Sequence, residues 1–405
     1  MGHTISTDVD RDRAGQRNAV LAGFLGWTFD AFDFFVLTFV LVPVAKEFHR
    51  TIPEIALTLT ASLAMRPVGA FLFGLMADRY GRRLPLMLDI LFYSVIEFLS
   101  GLAPSYRAFL VLRLLYGIGM GGEWGVGASL AMESVPAKWR GMLSGLLQEG
   151  YALGYLLAAV AYFNVFPHWG WRAMFFIGGA PALLTLFIRA RVKEPEAWRR
   201  SRTDWSTYRR AIFGNWKRFV YLVLLMAMVN FISHGTQDLY PTYLQQQRGF
   251  SPRLTSFITI LSMIGAIAGG VVVGLYSDRV GRRRSMFTAL AAGLLLIPLW
   301  AFAPSLWLIC LGAFLMQFMV QGAWGVIPAH ITELSPDQLR GFFPGLAYQL
   351  GVLCASLSVY IESALSLRWT YGTAMGAFAA IVLAGGLLVV APGPEAHRIA
   401  FGGRD

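Results

Sequence analysis

The sequence predicts an all-α membrane protein with twelve transmembrane helices in two homologous six-helix bundles, and three observations support this. Of its 405 residues, 56% are hydrophobic and only 14% are charged, whereas soluble proteins carry about a quarter charged residues. The apolar residues form runs of the length that crosses about 30 Å of hydrocarbon. A ten-residue motif recurs 200 residues later. Helices are favoured over a barrel because the alternating pattern of barrel strands is absent.

Twelve apolar runs can be placed in order along the chain, each long enough to span a bilayer as a helix. The first run is too long for the core of a cleavable signal, so we expect it to remain as a spanning helix. The runs cover residues 18–44, 54–77, 84–103, 106–132, 142–165, 171–190, 217–244, 254–276, 285–303, 305–330, 342–366 and 369–391.

Basic residues are distributed unevenly between the two sides of this topology. Of the 34 lysines and arginines, 25 lie in the tails and even-numbered loops, seven lie in the odd-numbered loops, and Arg66 and Arg113 lie within spans. Positive charge accumulates on the cytoplasmic side of membrane proteins. We therefore expect both termini in the cytoplasm and the chain in the cell (inner) membrane. The net charge of +11 then reflects topology and does not indicate a nucleic-acid partner.

An internal repeat divides the chain into halves. The segment 74–83 (GLMADRYGRR) matches 274–283 (GLYSDRVGRR), and the same shift of 200 relates Glu133 to Glu333. We predict an N-terminal half at 1–190, a basic cytoplasmic linker at 191–216, and a C-terminal half at 217–405 that ends in a short cytoplasmic tail. Such halves place a substrate between them at mid-depth and move by rocking.

The repeated Gly-x-x-x-Asp-Arg-x-Gly-Arg-Arg element, between spans 2 and 3 and again between spans 8 and 9, resembles the signature of the major facilitator superfamily. The resemblance covers nearly the whole chain and implies a transporter fold. Charge pairs at the cytoplasmic end of a span can hold two helices together in one state and release them in the other. We therefore assign conformational roles to Asp78, Arg79, Arg82, Asp278, Arg279 and Arg282; the alternative is that they only set the topology and a rigid turn.

Span 7 carries the richest set of polar residues inside a span, which are expensive there and usually functional. On a continuous helix Asn230, His234, Gln237, Asp238 and Pro241 form one stripe. His234 and Asp238 are i,i+4 neighbours, so the carboxylate can hold the imidazole and favour its protonated form. The alternative is a polar seam that packs the two halves together.

The span 7 stripe resembles the Asn-x-x-Ser/Thr-His-x-Ser/Thr-Gln-Asp-x-x-x-Thr motif of the fungal lactate/pyruvate proton permeases, in the sialate:proton symporter family. By that resemblance His234 and Asp238 handle substrate and proton, and Asn230 and Gln237 line the site. Gln349 in span 11 is similar to a Gln that lines the permease site. The next turn reads Gly351-Val352 where the permeases carry a polar side chain, so the resemblance leaves the detailed substrate preference open.

Two acids and two arginines inside the N-terminal spans are candidates for proton coupling and substrate binding. Asp30 and Asp33 share a face of span 1 and resemble an Asp-x-x-Asp-Phe-Phe stretch of the same family. Arg113 resembles the span 4 arginine of the superfamily, and we expect it to pair with Asp30 or Asp33 for proton coupling. Arg66 is similar to a permease arginine implicated in binding the substrate carboxylate, which suits its planar donor fork. Arg66 pairing with a span 1 acid is the alternative.

Together these observations predict a proton-coupled symporter of small monocarboxylates, of the lactate or pyruvate type, that works by alternating access. An anion carried with one proton is electroneutral, so the pH gradient alone would drive uptake. The alternatives are symport of a larger acid such as sialate, or a non-transporting membrane receptor of the same fold. We expect a monomer in contact with lipid, with no cofactor, metal or enzymatic activity, because no phosphate-binding loop or ligand set is present.

Overall fold

The structure is a computed structural model that describes residues 2–201, 205–397, 399 and 401. Three arginines counted among the bases of the linker and tail, Arg202, Arg398 and Arg404, lie outside the described residues. Within the described residues all regular secondary structure is helical.

The N-terminal half contains α1 (Gly2–Glu47), α2 (Ile52–Tyr80), α3 (Arg83–Gly101), α4 (Tyr106–Ser134), α5 (Arg140–Gln148), α6 (Gly150–Ile177) and α7 (Ala182–Arg191). The linker contains α8 (Glu196–Ser201) and α9 (Trp205–Gly214). The C-terminal half contains α10 (Trp216–Gln237), α11 (Tyr240–Gln246), α12 (Pro252–Val280), α13 (Arg282–Phe302), α14 (Leu306–Leu334), α15 (Phe342–Ala355), α16 (Ser358–Ser366) and α17 (Tyr371–Val390).

Local sequence signals set where several of these helices begin and end. The hydroxyls of Thr51, Ser105, Ser251 and Thr370 accept hydrogen bonds from the first turns of α2, α4, α12 and α17, which satisfies N–H groups that have no partner within the helix. The repeated motif turns sharply at Gly81 and Gly281, which both have φ of 103°. A side chain is strained in that backbone conformation, so each motif needs glycine at its turn.

The number of spans agrees with the prediction of twelve. Nine stretches of the described chain are long and apolar enough to cross a membrane, and the 55-residue stretch Ala137–Arg191 contains the fifth and sixth predicted spans. The fourth predicted span is the 29-residue α4, which carries Arg113 and Glu123 in its interior. The eleventh is divided into α15 and α16.

Span 7 is not the continuous helix that the stripe assumed. α10 ends at Gln237 and α11 begins at Tyr240. Pro241 lacks an N–H and its ring conflicts with the carbonyl four residues earlier, which explains the break. Asp238 is still αR and its N–H binds the His234 carbonyl at 3.0 Å. His234 and Asp238 are therefore one helical turn apart, as predicted. Pro241 lies in the next helix and is not part of the stripe.

The two halves meet from mid-depth to the end of the molecule that carries the linker, which we call the linker end. α2 packs on α15, where the rings of Phe71 and Phe342 are 5.6 Å apart. α5 packs on α12 and α14, and Ser144 accepts a hydrogen bond from the N–H of Ala329 at 3.0 Å. The structure is thus closed at the linker end.

Candidate functional site

Asp78 at the end of α2 binds the first turn of α15 in the opposite half. Its two oxygens accept hydrogen bonds from the backbone N–H groups of Gly341 (2.6 Å) and Phe342 (3.1 Å). Arg82 contacts the same carboxylate at 2.5 Å and Glu133 at 2.7 Å, and all three charged side chains are buried. A carboxylate is stabilised there because the helix dipole and the unpaired N–H groups attract negative charge.

The repeat reproduces this arrangement with the halves exchanged. Asp278 accepts hydrogen bonds from the N–H groups of Gly141 (2.9 Å) and Met142 (3.0 Å) in the first turn of α5. Arg282 contacts Asp278 at 2.7 Å and Glu333 at 2.9 Å. Each half therefore contributes one carboxylate that caps a helix of the other half.

These two networks join the two halves at the linker end, and we call them the latch. Of the six motif residues, four belong to it, whereas Arg79 is half-buried and Arg279 is exposed at the ends of the same helices. The two glutamates were not selected from the sequence, although the shift of 200 that relates them was a usable signal. The latch consists of Asp78, Arg82, Glu133, Asp278, Arg282 and Glu333.

Linker side chains bind the N-terminal part of the latch. The Tyr208 hydroxyl donates to Asp78 Oδ2 at 3.0 Å, and the Trp198 indole N–H donates to the Asp78 carbonyl at 2.8 Å. Glu194 accepts from the Arg82 backbone N–H. Burial raises the pKa of Glu194, and the hydrogen bond opposes that effect. The linker is therefore docked on the latch.

Arg66 lies at mid-depth between the halves. Its side chain is almost completely buried, and its guanidinium carbon is 5.7 Å from the centre of the Tyr348 ring on α15. Nε and one terminal nitrogen have no hydrogen-bond partner among the described residues. A buried donor without a partner costs free energy until it meets an acceptor, so these nitrogens are open positions for a hydrogen bond.

The backbone around Arg66 is positioned by close helix packing. A Cβ at Gly121 of α4 would lie 1.9 Å from the Arg66 carbonyl oxygen, so only glycine permits this approach. Gln349 of α15 donates to the Gly121 carbonyl at 3.3 Å, and its own carbonyl oxygen has no partner within the described chain. The structure thus brings Gln349 next to the Arg66 segment.

The predicted pairing of Arg113 with a span 1 acid is wrong for this structure. Arg113 contacts Glu97 of α3 at 2.5 Å and donates to Ser100 Oγ at 2.6 Å. A Cβ at Gly178 would lie 2.7 Å from Asp33 Oδ1 and 2.5 Å from Glu97 Cγ, so these two acids meet. Asp33 therefore lies beside the Arg113–Glu97 pair without a hydrogen bond to either. The polar α3 residue that completes this pair was missed in the sequence.

Asp30 interacts electrostatically with Arg66 and with Glu97, the partner of Arg113. Arg66 is the cation that acts electrostatically on its carboxylate, but no ion pair joins the two in the described structure, and both Asp30 oxygens lack hydrogen bonds. The structure therefore does not contain the alternative, a salt bridge between Arg66 and a span 1 acid. Asp30 and Asp33 both interact electrostatically with Glu97, an acid of α3 that the sequence analysis did not connect to them.

His234 and Asp238 form the predicted pair on the C-terminal side. His234 Nδ1 lies 2.9 Å from Asp238 Oδ2, and the side chains are 40% and 34% exposed. Of the other residues in the stripe, Asn230 is buried and donates to the Met226 carbonyl at 2.8 Å. Gln237 donates to Gln317 of α14 at 2.7 Å. The pair is thus open to a ligand, whereas Asn230 and Gln237 are engaged within their own half.

Aromatic rings from both halves lie next to Arg66. Tyr151 of α6 stacks on Trp27 with ring centres 5.5 Å apart, and the rings of Trp27 and Trp124 are 6.2 and 4.4 Å from that of Tyr348 on α15. Tyr151 also interacts electrostatically with Arg66, Asp30 and Asp238.

Two six-helix halves that pack against each other at one end are the architecture of membrane transporters built from repeated halves. The chain belongs to the major facilitator superfamily, whose family model matches residues 23–252 and 238–404. It is accordingly a multi-pass membrane transporter and not an enzyme, which removes the receptor alternative.

Individual relatives and a solved structure agree with this family. The sialic acid transporter NanX of Escherichia coli is 30% identical and the match covers 93% of this chain and 94% of NanX. A carboxylic acid transporter protein homolog of Saccharomyces cerevisiae is 29% identical over 87% of this chain, which spans 62% of the yeast protein. The proton:xylose symporter XylE, solved with 6-bromo-6-deoxy-D-glucose, has the same fold (TM-score 0.77, 18% identity, 96% and 98% coverage).

Proposed function

We propose that the protein is a proton-coupled symporter of small monocarboxylates of the lactate or pyruvate type. The observation that carries this proposal is Arg66, a guanidinium with free donors, buried between the halves next to Tyr348. Guanidinium binds a carboxylate through two parallel hydrogen bonds. Because Arg66 is only 4% exposed, a small anion reaches it more readily than a large one.

The surroundings of Arg66 support coupling to a proton. In the empty protein Asp30 balances the guanidinium charge from nearby. When a substrate carboxylate binds Arg66, the positive charge of the guanidinium is neutralised by the substrate and no longer by Asp30. A carboxylate without a counter-charge inside the membrane is costly. Asp30 therefore takes a proton as the anion binds, and the pair crosses the membrane without net charge. Asp33, next to Glu97 and Arg113, is the second acid of this region.

His234 and Asp238 act from the opposite half in this proposal. The His234 ring, held by the Asp238 carboxylate 2.9 Å from Nδ1, donates a hydrogen bond to the substrate carboxylate. Gln349 contributes from α15, and Asn230 and Gln237 support the helix that presents His234.

We further propose that the linker end is cytoplasmic, as the distribution of basic residues indicates. The closed latch then corresponds to an outward-facing state, and the protein works as a monomer in the cell (inner) membrane. The yeast relative described as a carboxylic acid transporter homolog supports a carboxylate substrate. The second candidate, symport of a larger acid such as sialate, is favoured by the similarity to NanX.

Counterflow in proteoliposomes tests the substrate class. Vesicles loaded with unlabelled L-lactate should accumulate labelled L-lactate transiently, and external pyruvate should compete while sialate does not. Counterflow of sialate without any of lactate or pyruvate would establish the second candidate and contradict the first.

A further inference from the structure

Besides the latch acids Asp78 and Glu133, five carboxyl groups lie buried within the spans of the N-terminal half, and the proposed function uses only some of them. The basic residues inside these spans are Arg66 and Arg113, so the acids outnumber the bases. For Asp89 and Glu123, all four carboxyl oxygens lack hydrogen bonds among the residues that the structure describes. The five acids, each 0% exposed, are Asp30, Asp33, Asp89, Glu97 and Glu123.

Glu123 of α4 lies in a notch of α1 beside Asp30. A Cβ at Gly26 would be 2.2 Å from Glu123 Oε1, so the carboxyl occupies the space that glycine leaves free. Asp30 is four residues after Gly26, and helical side chains lean toward the N-terminus. The Asp30 carboxyl therefore leans over the notch, and the two acids interact electrostatically.

Asp89 of α3 lies on the other side of Glu123. A Cβ at Gly119 would be 2.7 Å from Tyr93 Cβ, which fixes the register of α4 against α3. Because the two helices are antiparallel, one turn further toward the linker end brings Glu123 opposite Asp89. The acids interact electrostatically, and the unpartnered hydroxyl of Tyr93 interacts with both.

The acids therefore follow one another from mid-depth toward the linker end, in the order Asp30, Glu123, Asp89. Asp89 is six residues, or about 9 Å, from the start of α3. Beyond it, Leu86, Leu130 and Ile188 form part of a buried apolar cluster. While the latch is closed this layer separates Asp89 from the linker end.

We propose that Glu123 and Asp89 form a path that releases the proton from Asp30 at the linker end once the latch opens, separate from the route of the substrate. In each step an acid gives its proton to the neighbouring carboxylate oxygen and becomes a carboxylate itself, so the net charge of the three groups stays constant. The inference rests on the proposed function, in which Asp30 takes up the proton.

The surroundings suit a proton and exclude a larger ion. The path is enclosed by α1, α3 and α4, and its residues are fully buried, whereas the substrate route lies between the halves. The titratable or charged groups that interact electrostatically with Glu123 or Asp89 are, apart from each other, Asp30 on α1, Arg66 on α2, Tyr93 on α3 and Tyr348 on α15.

Glu123→Gln and Asp89→Asn test the path in proteoliposomes with L-lactate as the probe. Binding is followed by tryptophan fluorescence, since Trp124 and Trp27 have ring centres 4.4 and 6.2 Å from that of Tyr348. Both variants should keep the wild-type affinity, its pH dependence and counterflow within twofold, because Asp30 is intact. Net uptake driven by a pH gradient should fall at least tenfold, because the proton is not released.

Two further variants serve as controls. Asp30→Asn should lose the pH dependence of binding, which the path variants keep. Ser94→Ala removes a hydroxyl of α3 that is buried without a hydrogen-bond partner, and it leaves all the acids in place. It should behave as wild type. Glu123→Asp restores a proton-carrying group and should regain net uptake over Glu123→Gln. If Glu123→Gln does not fold, the comparison of net uptake between Asp89→Asn and Ser94→Ala tests the path instead.

Wild-type net uptake in Glu123→Gln or in Asp89→Asn would overturn the path. A shifted pH dependence of binding in both would also overturn it, because the acids would then act on the site itself. If the wild type moves sialate and not lactate, the proposed substrate is wrong, and the same readouts with sialate decide whether the path exists.

Discussion

A guanidinium that is buried at mid-depth and has free donors is the most informative single group in this protein. Arg66 has a nearby anion in Asp30 and an aromatic neighbour in Tyr348, yet part of its donor fork is unused. Its function in the proposal depends on the geometry of the fork and not only on its charge.

Arg66→Lys should therefore lower the apparent affinity for lactate at least tenfold, which corresponds to about 1.4 kcal/mol, while the protein still folds. Saturation of labelled-lactate uptake in proteoliposomes measures this. Arg50→Lys is the matched control, because Arg50 forms an exposed ion pair with Glu54 away from the site, and it should have no effect. Equal affinities in Arg66→Lys and wild type would remove Arg66 from the binding site.

The His234–Asp238 pair gives a prediction about affinity. The Asp238 carboxylate lies 2.9 Å from Nδ1 of a ring whose side chain is 40% exposed, so the ring is held in place and can donate to a substrate carboxylate. Hydrogen bonds to charged groups contribute about 1.5–3 kcal/mol, so His234→Gln should lower the apparent affinity for lactate about ten- to a hundredfold. Asp238→Asn weakens the contact that holds the ring and should lower the affinity by a smaller factor.

Saturation of initial lactate uptake, normalised to reconstituted protein, measures both variants. A pair that only packs α10 would give a different result: lower thermal stability with an unchanged apparent affinity in whatever activity remains. That outcome would reject the role of His234.

At the scale of elements, the latch connects helix ends across the two halves. Asp78 caps α15 and Asp278 caps α5 through backbone N–H groups. Backbone donors are available whatever side chains the opposite half carries. The hydrogen bonds therefore depend only on where the helix begins, and rocking of one half breaks both caps together.

Asp278→Asn should shift the protein toward a state that is open at the linker end. Loss of a charged cap costs about 1–2 kcal/mol, so the open population should rise about five- to thirtyfold. Spin labels on exposed Lys138 and Arg284, one in each half, would report the distance across the latch. Arg279→Gln, at an exposed position next to Asp278, is the control. Unchanged distance distributions in Asp278→Asn would show that this cap does not hold the closed state.

At the scale of the whole molecule, the proposal makes transport electroneutral. One proton and one monocarboxylate carry no net charge, so a potential worth about 2.3 kcal/mol per charge per 100 mV contributes nothing. A pH gradient contributes about 1.36 kcal/mol per unit. Lactate uptake should therefore be unaffected by a potassium diffusion potential set with valinomycin and abolished when nigericin collapses the pH gradient. Uptake that increases with an inside-negative potential would require more than one proton per anion.

Local features of the chain were predictable because hydropathy and helical spacing act over short distances. The runs of apolar residues determined the twelve spans, the 200-residue repeat located both capping carboxylates, and the i,i+4 spacing placed His234 beside Asp238. The break of α10 before Pro241 was also predictable from the local sequence, because proline interrupts a helix. The predicted stripe nevertheless treated residues 230–241 as one continuous helix.

Contacts between distant helices were decided only by the tertiary structure. The sequence contains Glu97, Asp89 and Glu123, but which arginine each acid faces depends on how α1, α3 and α4 rotate and pack. Glycines such as Gly26 and Gly121 let helices approach closely and so set those rotations. Arg113 accordingly binds Glu97 and not a span 1 acid, Arg66 keeps free donors, and each latch carboxylate crosses to the opposite half, because a helix face finds its partner only when all the spans are assembled.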